Sequence, residues 1–249
     1  SFDVRRRGGI ERLTLQVQAS LERQGQRVLL LSPRPVGQGP LGRPLGRLRF
    51  LLALARWLPQ APVVVSMHAL LLEPVGWLRP LRRRGQRLVC WLHGIEVWGE
   101  ALAGVTRPLQ RCDELIASST FTRDRVLEQG GRWPAIQVVH PMADLINPHT
   151  SPKPFPPALR LLTVARMDAG ERYKGHRLVL AALDQLRAEG TLPAHLQWRV
   201  VGAGNDRPAL EARTEALGLT PWVRFLGSMD DTALERELRH CSLLLMPSA

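Results

Sequence analysis

Residues 160–175 read Arg160-Leu-Leu-Thr-Val-Ala-Arg-Met-Asp-Ala-Gly-Glu-Arg-Tyr-Lys-Gly175, and this stretch decides the fold. The apolar run from Leu161 to Ala165 predicts a buried strand that delivers Arg166 at its carboxyl end. Eight residues on, Lys174-Gly175 stands where a helix begins, with apolar positions Leu178, Leu180, Ala181, Leu183 and Leu186. In open α/β sheets, ligands bind outside the carboxyl ends of the strands, beside helix N-termini. A guanidinium that can bind in bidentate fashion, a point-charge ammonium and free helix N–H groups converging there predict a diphosphate site. One Arg or Lys on a loop is ordinarily solvated charge. The pair, placed in this strand–loop–helix unit, points to an anion.

Outward from this stretch, the same alternation runs in both directions. Towards the N-terminus, apolar runs bounded by turn residues predict strands near 27–31, 62–66, 87–92, 114–118 and 136–139. Helical patterns fall between them at 10–24, 46–58, 72–84, 100–110 and 119–130, the last with Ser119 or Thr120 as N-cap. Towards the C-terminus, strands near 160–165, 196–201, 222–226 and 242–246 alternate with helices near 175–189, 206–217 and 230–240. Such alternation is the signature of parallel sheets with helical crossovers. Residues 141–158 break it, because six prolines there exclude a helix or a central strand and predict a stiff linker. The expected organisation is α/β: a Rossmann-like domain over 1–140, the linker over 141–158, and a second Rossmann-like domain starting at 159 and running to 249, with a cleft between the two.

Composition narrows the function classes. The 249 residues suffice to bury a substantial core. Cys90, Cys112 and Cys241 lie far apart with no C-x-x-C pair, which argues against a zinc knuckle or a disulfide framework and for a reducing compartment. No apolar run approaches the roughly 20 residues of a membrane span, and no secretory signal pattern is present, so a cytoplasmic location is expected. Residues 1–150 hold 21 Lys/Arg against 11 Asp/Glu, a net of +10, whereas residues 151–249 hold 13 against 11, a net of +2. A basic first half suits an anionic surface or ligand.

Individual positions carry chemistry by their placement. Gly8-Gly9 opens the first helix, either as a tight turn or as backbone that can approach a phosphate or sugar. His93 follows the apolar run Leu88–Leu92 and can donate a hydrogen bond or act as a base near neutral pH. Gly202-Ala-Gly204-Asn-Asp-Arg207 lacks the third glycine of a dinucleotide fingerprint, leaving a glycine-rich turn near a nucleotide. His68, His140, His176 and His240 show no metal-ligand spacing, so no metal and no bound cofactor are expected.

Several of these segments together carry a family resemblance. Gly8-Gly9-Ile-Glu-Arg12, Trp91-Leu-His93-Gly94-Ile-Glu96, Ala117-Ser-Ser-Thr-Phe121, Val138-Val-His-Pro-Met-Ala-Asp144, Arg166 with Glu171-Arg-Tyr-Lys174-Gly175, Val200-Val-Gly202-Ala-Gly204 and Val223-Arg-Phe-Leu-Gly227 follow one another in order. Their order and spacing resemble the retaining GT-B glycosyltransferases of family 4. The resemblance implies a GT-B fold and transfer of a sugar from a nucleotide-sugar donor to an acceptor hydroxyl with retention, in glycan, lipopolysaccharide or glycolipid synthesis.

The resemblance also implies roles for residues. Arg166 and Lys174 would bind the donor diphosphate, and His93 would lie beside the transferred sugar. Gly8, Gly9, Glu96, Gly202, Gly204 and Gly227 would contact donor or other ligand. The absence of Asp-x-Asp fits metal-independent transfer. Both ends read as cut, with a first strand expected before Ser1 and a glutamate-rich donor-binding segment expected after Ala249, so the chain alone is expected to be inactive. Two rivals share some of these features: a GT-B sugar-nucleotide epimerase, and a basic nucleic-acid-binding module. The second expects exposed aromatics among the arginines, whereas the tryptophans here mostly sit inside apolar patterns, so no nucleic-acid partner is expected.

The segment 44–58 sets Arg47, Arg49 and Arg56 among Leu45, Leu48, Phe50, Leu51, Leu52, Leu54 and Trp57. It reads either as a helix packed on its own sheet or as one lying on an anionic membrane, and Trp77-Leu-Arg-Pro-Leu-Arg-Arg-Arg84 adds a second basic patch. A lipid-linked or glycan acceptor on the cytoplasmic membrane face would suit the second reading.

Overall fold

The computed structural model describes residues 8–33, 42–141 and 158–248. The chain divides into two compact units, residues 1–144 and 145–249. Apart from Pro141 and Ala158, the proline-rich segment expected as a linker lies outside the described residues.

The first unit begins with helix α1 (Gly9–Arg23), followed by α2 (Gly42–Trp57). Every fourth residue of α2 is small or apolar, and Gly42, Gly46, Phe50 and Leu54 are the ones buried. Four parallel strands then appear in sequential order: β1 (Val63–Ser66), β2 (Arg87–Leu92), β3 (Glu114–Ala117) and β4 (Ala135–Val138). β2 is buried at every position after Arg87, as a central parallel strand covered on both faces must be. Between the strands lie α3 (Leu72–Trp77), α4 (Glu100–Ala103), α5 (Thr106–Gln110) and α6 (Thr120–Glu128). The core collects Phe50, Leu54, Leu58, Leu88, Leu92, Leu109, Leu115 and Val126.

Three expectations for this unit need correction. The segment 27–31 is not a strand: it has no ladder partner among the described residues, although Leu31 packs on the core. An apolar run becomes a strand only where a neighbour accepts its hydrogen bonds. The helix expected over 72–84 stops at Trp77, with a 3₁₀ turn over Arg79–Leu81. The helix expected over 100–110 splits at Gly104-Val105. In both, a proline ring (Pro80, Pro108) would collide with the carbonyl four residues earlier in a continuous helix. Ser119 is the N-cap of α6, its hydroxyl accepting from the Thr122 amide at 3.1 Å.

The second unit contains β5 (Arg160–Val164), α7 (His176–Ala188), β6 (Gln197–Val201), α8 (Arg207–Ala216), β7 (Val223–Gly227), α9 (Asp231–His240) and the short β8 (Leu243–Leu244). Its sheet is parallel, in the order β7-β6-β5-β8. The chain moves outward from β5 through β6 to β7, and α9 then carries it back to the other side of β5. Trp198 anchors the core, fully buried, with its indole N–H donating to Thr163 Oγ1 at 2.9 Å. Asp230 caps α9 by accepting from the Ala233 amide at 2.8 Å, as a carboxylate at a helix N-terminus should. Arg199 on β6 ties α9 to the sheet through two bonds of 2.6 Å to Glu237, which hold that carboxyl below its ordinary range.

Candidate functional site

The strand orders locate a candidate site in the second unit. Between β5 and β8 the order reverses, and ligands in open α/β sheets bind at such a reversal, outside the carboxyl ends of the strands. Arg166 stands two residues beyond the end of β5. A 3₁₀ segment, Ala169–Lys174, then leads into α7, and Asp168 caps it by accepting from the Gly170 amide at 3.0 Å. Arg166 is two-thirds exposed and pairs with Glu171. Lys174 makes no ion pair among the described residues, and its ammonium lies 4.9 Å from the centroid of the Tyr173 ring. Among the described residues no side chain caps the N-terminus of α7.

Gly175, at that N-terminus, has φ 78°, and a Cβ built on it would lie 2.2 Å from the Pro247 carbonyl oxygen. The chain leaving β8 therefore reaches the start of α7, closing the reversal on the side opposite β6. A second close approach lies on the β6 side. A Cβ on Gly202 would fall 2.0 Å from the Ala165 oxygen, and one on Gly204 would fall 2.0 Å from the Met167 oxygen. The two loops are joined there, with the Met167 amide donating to Ala203 O at 3.0 Å and the Asp206 amide donating to Met167 O at 2.9 Å. The space beside Gly202 and Gly204 is thus taken up by the loop bearing Arg166. Gly227 ends β7, and its carbonyl accepts from the Gly202 amide at 2.9 Å.

Charged groups beneath this loop are already compensated. Asp206, nearly buried, accepts from Arg177 at 3.0 and 3.1 Å and sits 3.6 Å from Arg172. Burial pushes the His176 imidazole down, against the pull of Asp206.

The first unit presents a different site at the end of β2. Glu96 turns back to accept from the amides of His93 and Gly94, at 2.5 and 3.0 Å. The His93 ring spans two partners: Nε2 lies 2.8 Å from the Met67 carbonyl, and Nδ1 lies 3.4 Å from Ser118 Oγ. A carbonyl can only accept, so Nε2 carries the proton and Nδ1 accepts from the Ser118 hydroxyl. Ser118 in turn accepts from the Trp91 indole at 3.0 Å. The result is an imidazole held at both ring nitrogens. His68 lies near it, with ring centroids 6.4 Å apart, and burial pushes its pKa down.

At α1, Gly8 is the N-cap, and the Glu11 carboxylate folds across it, 2.2 Å from where a Cβ would stand. Gly9 faces open space.

The structure therefore brings Arg166, Lys174, Gly202, Gly204 and Gly227 into one unit and His93, Glu96, Gly8 and Gly9 into the other. Sequence reasoning missed Ser118, Glu171 and Asp206. Ser118 lies within the Ala117–Phe121 motif, but nothing local signals that it reaches His93. Among the described residues no group of three or more His, Cys, Asp or Glu side chains could hold a metal ion.

Two parallel α/β units, each with chemistry gathered at strand carboxyl ends, define the class. A model described as glycosyltransferase family 4 matches residues 7–146, and one described as glycosyl transferases group 1 matches residues 158–249. The chain belongs to glycosyltransferase family 4. Solved structures show the same GT-B fold at low identity. HepE of Anabaena, in complex with UDP and glucose, is 19% identical, covering 92% of this chain and 63% of its own at a TM-score of 0.64. Sucrose-phosphate synthase of Thermosynechococcus elongatus is 17% identical, covering 97% and 70% at a TM-score of 0.74. The lipopolysaccharide outer core galactosyltransferase WaaB, in its apo form, is 17% identical, covering 82% and 56% at 0.56. The chain thus spans just under two thirds of the length of HepE. No curated protein matches it significantly.

Proposed function

We propose that the protein transfers a sugar, with retention of configuration, from a nucleotide-sugar donor to an acceptor hydroxyl. The carrying observation is Lys174, which makes no ion pair among the described residues, on the same loop as Arg166 and at the N-terminus of α7, where the strand order reverses. Two cations and helix N–H groups there would meet the diphosphate as charge builds on it during bond cleavage, which stabilises the transition state without a metal. Arg166 already shares one edge with Glu171, so that pairing orients the guanidinium while leaving other donors for phosphate. The second unit is read as the donor side and the first as the acceptor side. His93, held at both ring nitrogens, would orient hydroxyl groups of the sugar.

HepE holds UDP and glucose, which makes UDP-sugars the first donors to screen. The test is release of nucleoside diphosphate by the full-length enzyme with and without acceptor. Turnover of donor alone into an isomeric sugar nucleotide would instead mark an epimerase. Activity should persist in excess chelator. Complete loss, restored by Mn²⁺ or Mg²⁺, would defeat the metal-free reading.

A glycan or lipid-linked acceptor of the cell envelope fits the exterior of the first unit. No helix among the described residues is long and apolar enough to cross a membrane. α2, however, packs inward through Gly46, Phe50 and Leu54 while leaving Leu45, Leu48 and Leu52 about half or more exposed. These leucines share one face with Arg49 at its edge, and we read that face as the one that would meet an anionic surface.

A further inference from the structure

A cavity of about 380 Å³ opens in the first unit between α3, the start of β2 and α5. Its volume falls within the roughly 300–1,000 Å³ of small-ligand sites. Leu88, in its floor, is the second residue of β2, so the cavity lies at the end of the sheet opposite His93. Leu72 and Val75 complete an apolar base.

Three guanidinium groups, from Arg79, Arg82 and Arg111, surround that base, opposed by the single carboxylate of Glu73. Arg82 is committed: it donates to the side chain and backbone of Gln86 at 3.0 and 2.9 Å and lies 3.9 Å from Asp113. Arg79 and Arg111 are exposed and have no hydrogen-bond or ion-pair partner among the described residues. Beside them Trp77 is 63% exposed and Leu81 43% exposed. The Gln86 side chain also donates to the carbonyls of Leu58 and Ala61, at 2.6 and 2.7 Å, which joins this wall to the C-terminal end of α2.

An apolar base, unspent cations and a protruding indole suit an amphiphilic anion. Cations recognise a phosphate, and tryptophan favours the boundary between water and hydrocarbon. We infer that the cavity takes the phosphate-bearing headgroup of an anionic phospholipid, with Trp77 and Leu81 entering the interface around it. This rests on the membrane reading of α2 and deepens it from a charged face to a built site, and a free phosphate is the rival occupant of the same chemistry.

The experiment compares sedimentation of the protein with phosphatidylglycerol-containing and pure phosphatidylcholine vesicles. Each arginine near an anionic surface is worth roughly a fivefold change in binding, so Arg79→Gln with Arg111→Gln should weaken anionic-vesicle binding roughly thirtyfold. Trp77→Ser should weaken it at high salt too, because that contribution is apolar. The charge-matched control, Arg213→Gln with Arg236→Gln in the second unit, should change binding little. Circular dichroism checks that the variants stay folded.

If the cavity pair loses no more than the control while Arg47→Gln with Arg49→Gln releases the protein, the cavity site is overturned and the α2 reading stands. If the wild-type protein ignores anionic vesicles, both fall. Should inorganic phosphate shift the Trp77 indole resonance while Arg79→Gln with Arg111→Gln leaves anionic-vesicle binding at the wild-type level, the occupant is free phosphate and the lipid assignment is overturned.

Discussion

The carboxyl ends of β2 and β5 are topologically equivalent places, the rim of a parallel sheet, yet they are finished in opposite ways. At β2 the two site side chains are closed upon the protein: His93 is bound at both ring nitrogens and Glu96 holds two amides. At β5 the charges beneath are closed, but Lys174 and the N-terminus of α7 remain without a carboxylate partner among the described residues. The first rim is held in place by hydrogen bonds within the protein. The second is cationic and sits at a reversal of strand order, which suits a diphosphate. One fold thus yields two chemistries through what its loops leave unpaired.

The sharpest way to break the comparison is Lys174→Ala. Losing one preorganised donor should cost on the order of 2–4 kcal/mol of transition-state stabilisation, about 30- to 1,000-fold in kcat/KM. The readout is donor-dependent release of nucleoside diphosphate by the full-length enzyme. Turnover within a few-fold of wild type would mean that the cationic rim is ordinary surface.

Next in size is a contrast between glycines. Gly202→Ala must push a Cβ against the Ala165 carbonyl from φ 143°, and should destabilise the second unit by about 2–3 kcal/mol in denaturant titration. Gly9→Ala, with open space and a helical backbone, should leave stability unchanged or raise it by up to about 1 kcal/mol. If Gly9→Ala nevertheless lowers activity, Gly9 touches ligand. Equal destabilisation by both would show that the loop contact at Gly202 is not what fixes this rim.

A smaller effect is expected for Ser118→Ala, which removes the acceptor of the Trp91 indole and the donor to His93 Nδ1. It should cost about 1–3 kcal/mol of stability. It should also loosen the tautomer of His93, read from the ¹⁵N shifts of its ring. Unchanged ring shifts would show that Met67 alone orients the imidazole.

The smallest effect is acid sensitivity, and it should appear in both units. His68 and His176 are each pushed below the ordinary value of 6.5 by burial. The unfolded chain therefore binds more protons than the folded one below that value. Stability is complete above it and declines as pH falls through it towards the folded pKa values. Thermal melting should begin to drop below about pH 6.5, and His176→Gln should flatten the decline. A melting temperature that rises on acidification would contradict the burial of both rings.

Legibility in the sequence followed range. Strands at 87–92 and 160–165 and the cap at Ser119 were readable because each rests on neighbours a few residues away. Periodicity, capping and the fixed φ of proline are local properties of the chain. Even the two broken helices, expected as continuous over 72–84 and 100–110, carried their cause in Pro80 and Pro108.

What the sequence could not settle depends on partners far along the chain. The run 27–31 has the composition of a strand but no ladder neighbour among the described residues, and ladder bonds are not encoded in one segment. The placement of β8 beside β5, which creates the reversal, follows from where α9 returns the chain. Arg177 meets Asp206 across 29 residues, and Trp91 meets Ser118 across 27. Gly202 and Gly204 look like ligand glycines in a motif, yet their missing side chains make room for the loop after β5. The sequence by itself determined which residues could carry charge to the rim of a sheet. Tertiary structure decided which of those charges stay unspent, because pairing and burial depend on distances between segments that local chemistry does not fix.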